Sequence, residues 1–218
     1  MNANKNERRK TNMSLNCRNK NIFSLGSVAC SSKGSLIEKS ISCDCDNDQL
    51  IIVKGICSKR KLDSMLTTND NNLTWTQIFI PEVLCIPEQK PDIEQLMSVT
   101  SVPEIFSQRV IKTPVQIIDD LVEPIFNQEN TRITGRKLII EGLLRQKVVY
   151  TAAVEQQSVH SAHFDVPFSA FIILPPNTAL TQKYKIETCV EDIFVCHITA
   201  RQIFKNVTLF IKATPLVC

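Results

Sequence analysis

The sequence predicts a mostly β protein: an antiparallel β-sandwich or partly open barrel with one short helix, behind a cysteine-bearing, partly disordered N-terminal region. Three observations predict it. Residues 135–175 carry β-branched and aromatic side chains in short runs, broken by Gly142, the polar Glu155–Ser158 cluster and Pro175, the pattern of consecutive strands joined by turns. Residues 184–213 repeat the style. Apolar residues recur at period two along several of these runs, the spacing of one strand face.

Taken in order, residues 1–20 are dominated by Asn, Lys and Arg with no apolar repeat and read as a disordered basic tail. Residues 21–72 read as a Cys-bearing segment and linker. Asn21–Ser27 is a weak strand, Leu50–Ile56 a stronger one that Leu36–Ile41 is placed to pair with, and Ser58–Asn72 a linker. The main domain spans residues 73–214. It opens on Thr74–Ile80, where Trp75, Gln77 and Phe79 alternate with Thr76, Ile78 and Ile80; Pro81 and Pro87 limit any strand between them to a short edge piece. Pro91 followed by Asp92, Ile93, Glu94, Leu96 and Met97 suits one short helical turn. Ser98–Val115 resumes strand alternation, punctuated by Pro103 and Pro114. In Gln116–Asn130, the spacing of Ile117, Ile118, Leu121, Val122 and Ile125 suits a helical face, against Pro124.

Leu138–Leu144 and Lys147–Val154 read as a hairpin. Val166, Phe168, Ala170, Ile172 and Leu174 form a core-facing stripe; Tyr184, Ile186, Val190 and Phe194 form another. Ile203, Val207, Leu209 and Ile211, with Phe204 and Phe210 across from them, read as a last strand buried on both faces. Seven or so short strands at regular spacing give the sandwich or partly closed barrel.

Bulk properties bound the function. The 218 residues allow one medium domain with an appendage, or two small domains. The net charge of +3 is too small to argue for nucleic acid, and it is uneven: residues 1–72 hold 12 basic and 7 acidic side chains, residues 73–218 hold 13 and 15. No run of 18 uncharged apolar residues suggests an integral membrane segment, and the basic start lacks the apolar core of a signal peptide. Synthesis and retention in the cytoplasm is the expectation. The 9 cysteines are many for such a chain, and odd in number.

Ordered segments across the main domain resemble one family. They are Lys90-Pro91-Asp92-Ile93 with Leu96 and Ser98-Val99; Gly135 to Gly142; Val159-His160-Ser161-Ala162-His163-Phe164 with Val166-Pro167-Phe168-Ser169 and Phe171; and Phe204-Lys205-Asn206-Val207-Thr208-Leu209. Together they resemble the SPOCS domain of SipL-type proteins from spore-forming Clostridia, over about Leu73 to Ala213. The resemblance implies a spore-envelope role: a non-enzymatic coat or exosporium component, made in the mother-cell cytoplasm and deposited on the spore. It implies partners among other coat or exosporium proteins and further copies of the same chain, with no nucleic acid, no small-molecule substrate and no cofactor. An alternative role is an adaptor that recruits a coat morphogenetic ATPase to the forespore. SipL-type proteins carry a C-terminal LysM module, for which the stretch after Ala213 leaves no room, and this favours the small component. On this reading, thiols reduced during synthesis oxidise in the extracellular shell. The cross-link candidates are Cys17, Cys30, Cys43, Cys45, Cys57 and Cys218, with Cys17 and Cys218 first because of their reach near the chain ends.

Other constellations weigh less. Cys43-Asp44-Cys45 with Cys57 has poor spacing for a metal. His160, His163, Asp165, Ser158 and Ser161 invite a hydrolase of cortex or coat. The odd spacing of the two histidines, however, points them to opposite strand faces, and no Gly-x-Ser-x-Gly elbow is present. Glu141 and Asp192 read as charges on a solvent face. Trp75 and Phe79 read as an interface anchor. No catalytic or metal site is assigned.

Overall fold

Alternation carries the chain through several predicted stops, so the main strands are longer than expected. The computed structural model describes residues 51–66, 74–118, 121–123, 125–126 and 132–216. The predicted tail and the strands at Asn21–Ser27 and Leu36–Ile41 lie outside them. The described elements are β1 (Ile52–Lys54), α1 (Lys59–Leu66), β2 (Thr74–Cys85), β3 (Ile93–Lys112), the short strands β4 (Gln116–Ile118), β5 (Leu121–Glu123), β6 (Ile125–Phe126) and β7 (Arg132–Ile133), then β8 (Arg136–Ala152), β9 (Val159–Ile173), β10 (Tyr184–Thr199) and β11 (Gln202–Pro215).

A four-stranded sheet in the order β1-β3-β8-β9 packs on a three-stranded sheet in the order β10-β11-β2. All pairings are antiparallel except β1 with β3. Along the seams β2 lies beside β9 and β10 beside β3, with no closed hydrogen-bonded ring. The result is the expected mostly β sandwich with one short helix, but the helix sits elsewhere than predicted.

The core lies between the sheets. Leu96, Val99, Leu138, Ile140, Leu144, Val148 and Tyr150 face Ile203, Val207, Leu209 and Ile211, all with no exposed surface. Burying each such aliphatic side chain is worth roughly 1.5–3 kcal/mol. The stripe from Phe168 to Leu174 is buried as expected, and β11 is the central strand of its sheet.

Five expectations are corrected. Ile93–Met97 is strand, not part of a helical turn: β3 has register shifts at Ile93/Gln95 and Leu96/Ser98. These bulges space the buried Ile93, Leu96 and Val99 three apart, imitating a helix. Gln116–Phe126 holds short strands where a helical face was expected. Ile118 pairs with Leu121 and Ile117 with Val122, so antiparallel pairing joins residues three and five apart much as a helix turn joins three and four. Leu138–Val154 is not a hairpin but one strand up to Ala152, because Leu144, Gln146 and Val148 point in while Arg145 and Lys147 point out. The strand at Thr74 runs through Pro81 to Cys85, which the sheet tolerates because β2 is an edge. Finally, Phe194 leaves the predicted inner stripe: a bulge between Val190 and Asp192 switches parity, burying Ile193 and turning Phe194 outward.

Gly142 lies mid-strand because of close approach. A Cβ there would stand 2.5 Å from the Phe168 ring and 2.7 Å from the Glu104 carbonyl oxygen. Gly135 supplies the positive φ of 88° that turns the chain into β8.

Residues 51–66, which cover most of the predicted strand Leu50–Ile56 and the start of the predicted linker Ser58–Asn72, form a strap over one seam. Ile52–Lys54 pair with Ser98–Thr100 of β3, Ile56 bridges to Val190 of β10, and the Cys57 amide donates to the Val190 carbonyl at 2.8 Å. Ser58 then caps α1, its Oγ accepting from the Lys61 amide at 3.3 Å. Leu62 and Met65 pack against Cys189 and Phe210 on the outer face of the three-stranded sheet. At the other end of the helix Lys212 Nζ donates to the Met65 carbonyl at 2.7 Å, a cation at the negative end of the helix dipole. Cys57 and Cys189 form a disulfide.

Candidate functional site

Four polar side chains meet in the middle of the apolar core. On the three-stranded sheet Glu82 and Lys205 are direct cross-strand neighbours. On the four-stranded sheet Ser101 and Gln146 are direct cross-strand neighbours. Both pairs point inward, so the two rungs face each other across the sandwich. Lys205 Nζ lies 2.7 Å from Glu82 Oε1 and donates to Ser101 Oγ at 3.2 Å. Gln146 Nε2 donates to the same Glu82 Oε1 at 2.5 Å. The Lys205 side chain is 0% exposed and that of Glu82 8%.

Isolated charges in such a place are very costly, and a buried pair survives only with good geometry and further hydrogen bonds. This quartet supplies them incompletely: Glu82 Oε2 and Gln146 Oε1 are buried without a hydrogen-bond partner. Burial pushes the Lys205 pKa below the ordinary lysine value, while the Glu82 charge and hydrogen bond pull the other way. The site therefore holds a lysine inclined to lose its proton, a carboxylate in contact with it, and a carboxamide on that carboxylate. Sequence patterning does not single out Lys205 as a site residue. Its parity with Ile203, Val207, Leu209 and Ile211 is the available signal.

The residues singled out from sequence fall elsewhere. Cys57 pairs within the chain, with Cys189; Cys17, Cys30, Cys43, Cys45 and Cys218 lie outside the described residues. His160 faces inward at its strand start, its Nε2 3.0 Å from Ser158 Oγ and its ring 6.0 Å from Tyr150. His163 and Asp165 are exposed, opposite Lys147 and Arg145, so the segment does not converge. Glu141 pairs with Arg109 at 3.1 Å in a solvated ion pair, and Asp192 is exposed. Among the described residues no three His, Cys, Asp or Glu side chains are grouped to hold a metal.

Trp75 and Phe79 stand on the outer face of the three-stranded sheet. Trp75 stacks on Phe210 at 5.3 Å between ring centroids; Phe79 is 69% exposed. Register places Phe79, Phe194 and Phe204 on this same face, the last two edge-to-face at 6.1 Å. At the seam opposite the strap, β2 residues 77–81 and β9 residues 167–169 line an open groove of about 480 Å³.

Among the described residues no helix is long and apolar enough to cross a membrane. Comparison with curated proteins and with solved structures gave no match. Residues 92–198, from just before β3 to near the end of β10, match the family model described as SipL, SPOCS domain, and this stretch of the chain is a SPOCS domain.

Proposed function

We propose that the protein is a non-enzymatic structural or assembly component of the spore envelope, acting through protein–protein contacts. The observation that carries this reading is the SPOCS match over residues 92–198, which ties the chain to sporulation. The surface supports contact as the mode of action. Phe79, Phe194 and Phe204 share one sheet face, with Phe79 and Phe194 exposed, and exposed apolar surface of this kind marks interaction sites. Pro81 and Pro167 sit in the two edge strands that line the groove, and each removes a donor from its edge. Side-chain contact on the face is accordingly favoured over backbone pairing at those edges. The partners proposed are other coat or exosporium proteins and further copies of the chain. Disulfides between chains through cysteines outside the described residues would lock the assembly.

The test is electron microscopy of the purified protein by negative stain, with and without reductant. Fibres or sheets that loosen under reductant are expected. A uniform monomer in both conditions overturns the structural reading and favours the adaptor that recruits a coat ATPase.

A further inference from the structure

Lys205, Glu82 and Gln146 hold the three groups that amide exchange requires: an amine, a carboxamide and a carboxyl group that can carry protons between them. The amine and the amide nitrogen both contact one oxygen, Glu82 Oε1, at 2.7 and 2.5 Å. The amine and amide belong to the inner strands of opposite sheets, β11 and β8. We propose that Lys205 and Gln146 form an intramolecular isopeptide bond, assisted by Glu82, that joins the two sheets covalently through the core.

The step balances without any co-reactant. Glu82 takes one proton from the Lys205 ammonium. The neutral Nζ attacks Cδ of Gln146, and the Nζ–Cδ bond forms. Glu82 delivers its proton to Nε2 and takes a second from Nζ, the Cδ–Nε2 bond breaks, and ammonia leaves. The product is a secondary amide between the two side chains. Glu82 is left protonated and can pass that proton to the departing ammonia.

Four features support the reaction. The fully buried amine has its protonated form disfavoured by desolvation, the condition that makes a lysine nucleophilic. The site excludes bulk water, so hydrolysis of the amide does not compete well. Both Glu82 Oε2 and Gln146 Oε1 are unsatisfied before reaction, and the bond replaces a buried charge pair with a neutral amide. The fold holds amine, carboxyl and amide together before any chemistry, which removes the entropic cost of their encounter. The inference concerns the core and stands independently of the envelope reading.

The experiment is intact-mass spectrometry of the full chain, folded and then reduced to open its disulfides, and then tryptic mapping. The expected mass is lower than the sequence mass by one ammonia. The expected peptide is branched: residues 146–147 joined to residues 202–212, uncleaved at Lys205. Glu82→Gln and Lys205→Met are expected to show the unshifted mass. A shift that grows with time in folded protein and is absent from chain held in denaturant supports the proposal equally. An unshifted mass in folded wild-type protein overturns it, as does an ammonia loss that maps to an asparagine elsewhere. The wild-type measurement decides even where a variant fails to fold.

Discussion

At the scale of single residues, the buried quartet makes the sharpest demands. Glu82→Ala would strand the Lys205 ammonium in the core with only Ser101 beside it. In chain that has not cross-linked, loss of one partner of a buried pair costs about 3–5 kcal/mol, read as a lower urea midpoint. Gly142→Ala pushes a methyl into the Phe168 ring and the Glu104 carbonyl; a strained core of this kind costs about 1–3 kcal/mol in the same assay. The two tyrosines offer a pH readout. Burial raises both Tyr150 and Tyr184 above the ordinary value of 10.0, with Arg201 opposing for Tyr150 and a hydrogen bond to Thr178 opposing for Tyr184. Because the folded values exceed the unfolded one, the protonated phenols favour the fold. Their contribution is complete below pH 10 and lost as pH climbs through the raised values. A spectrophotometric titration of folded protein should show fewer than half of the phenols ionised at pH 10; half or more would contradict the burial of both rings. Lys205 is legible as a core-facing lysine from its parity with Ile203 and Val207. Its company is not, because the register that sets Glu82 opposite it is a tertiary property that no local pattern encodes.

At the scale of elements, sequence patterning finds most of the strands and misjudges where they bend. The stripe from Val166 to Leu174 and the two-faced burial of β11 are readable because nothing interrupts their alternation. Two of the errors fall at bulges. Shifts at Ile93/Gln95 and Leu96/Ser98 give strand the spacing of helix, and the one at Val190/Asp192 sends Phe194 to the opposite face. An inserted residue changes parity without leaving a composition signal. The helix α1 escapes the pattern for another reason. Its polar first turn resembles a linker, although Ser58 with Leu62 and Met65 carries a cap and an apolar face. What fixes α1 is the disulfide between Cys57 and Cys189, 132 residues apart in sequence. Replacing both cysteines by serine should cost about 2–5 kcal/mol, seen as a lower denaturation midpoint under oxidising conditions. The wild-type chain should move toward the variant in reductant. Equal midpoints in both buffers would show that the strap is held by packing alone.

At the scale of the whole molecule, the two seams differ: one is strapped and the other is open. If contact through the outer sheet face is the protein's work, Phe79→Asp should abolish assembly in sedimentation while leaving the melting transition within about 0.5 kcal/mol of wild type, as expected for an exposed position. Assembly that survives the change would move the interface to the four-stranded sheet, where Phe106 is exposed. The strapped seam has a consequence for biosynthesis. The ribosome makes residues 51–66 before either of the strands they join. The β3 docking partners Ser98–Thr100 come soon after, but Val190 and Cys189 emerge only near the far end of the polypeptide. The earliest of these elements to leave the exit tunnel is thus among the last to settle. Cys57 must wait as a thiol through most of translation, and such late, distant pairing slows folding. A nascent chain arrested before residue 189 would carry its strap loose, with one cysteine open to other thiols in the cell.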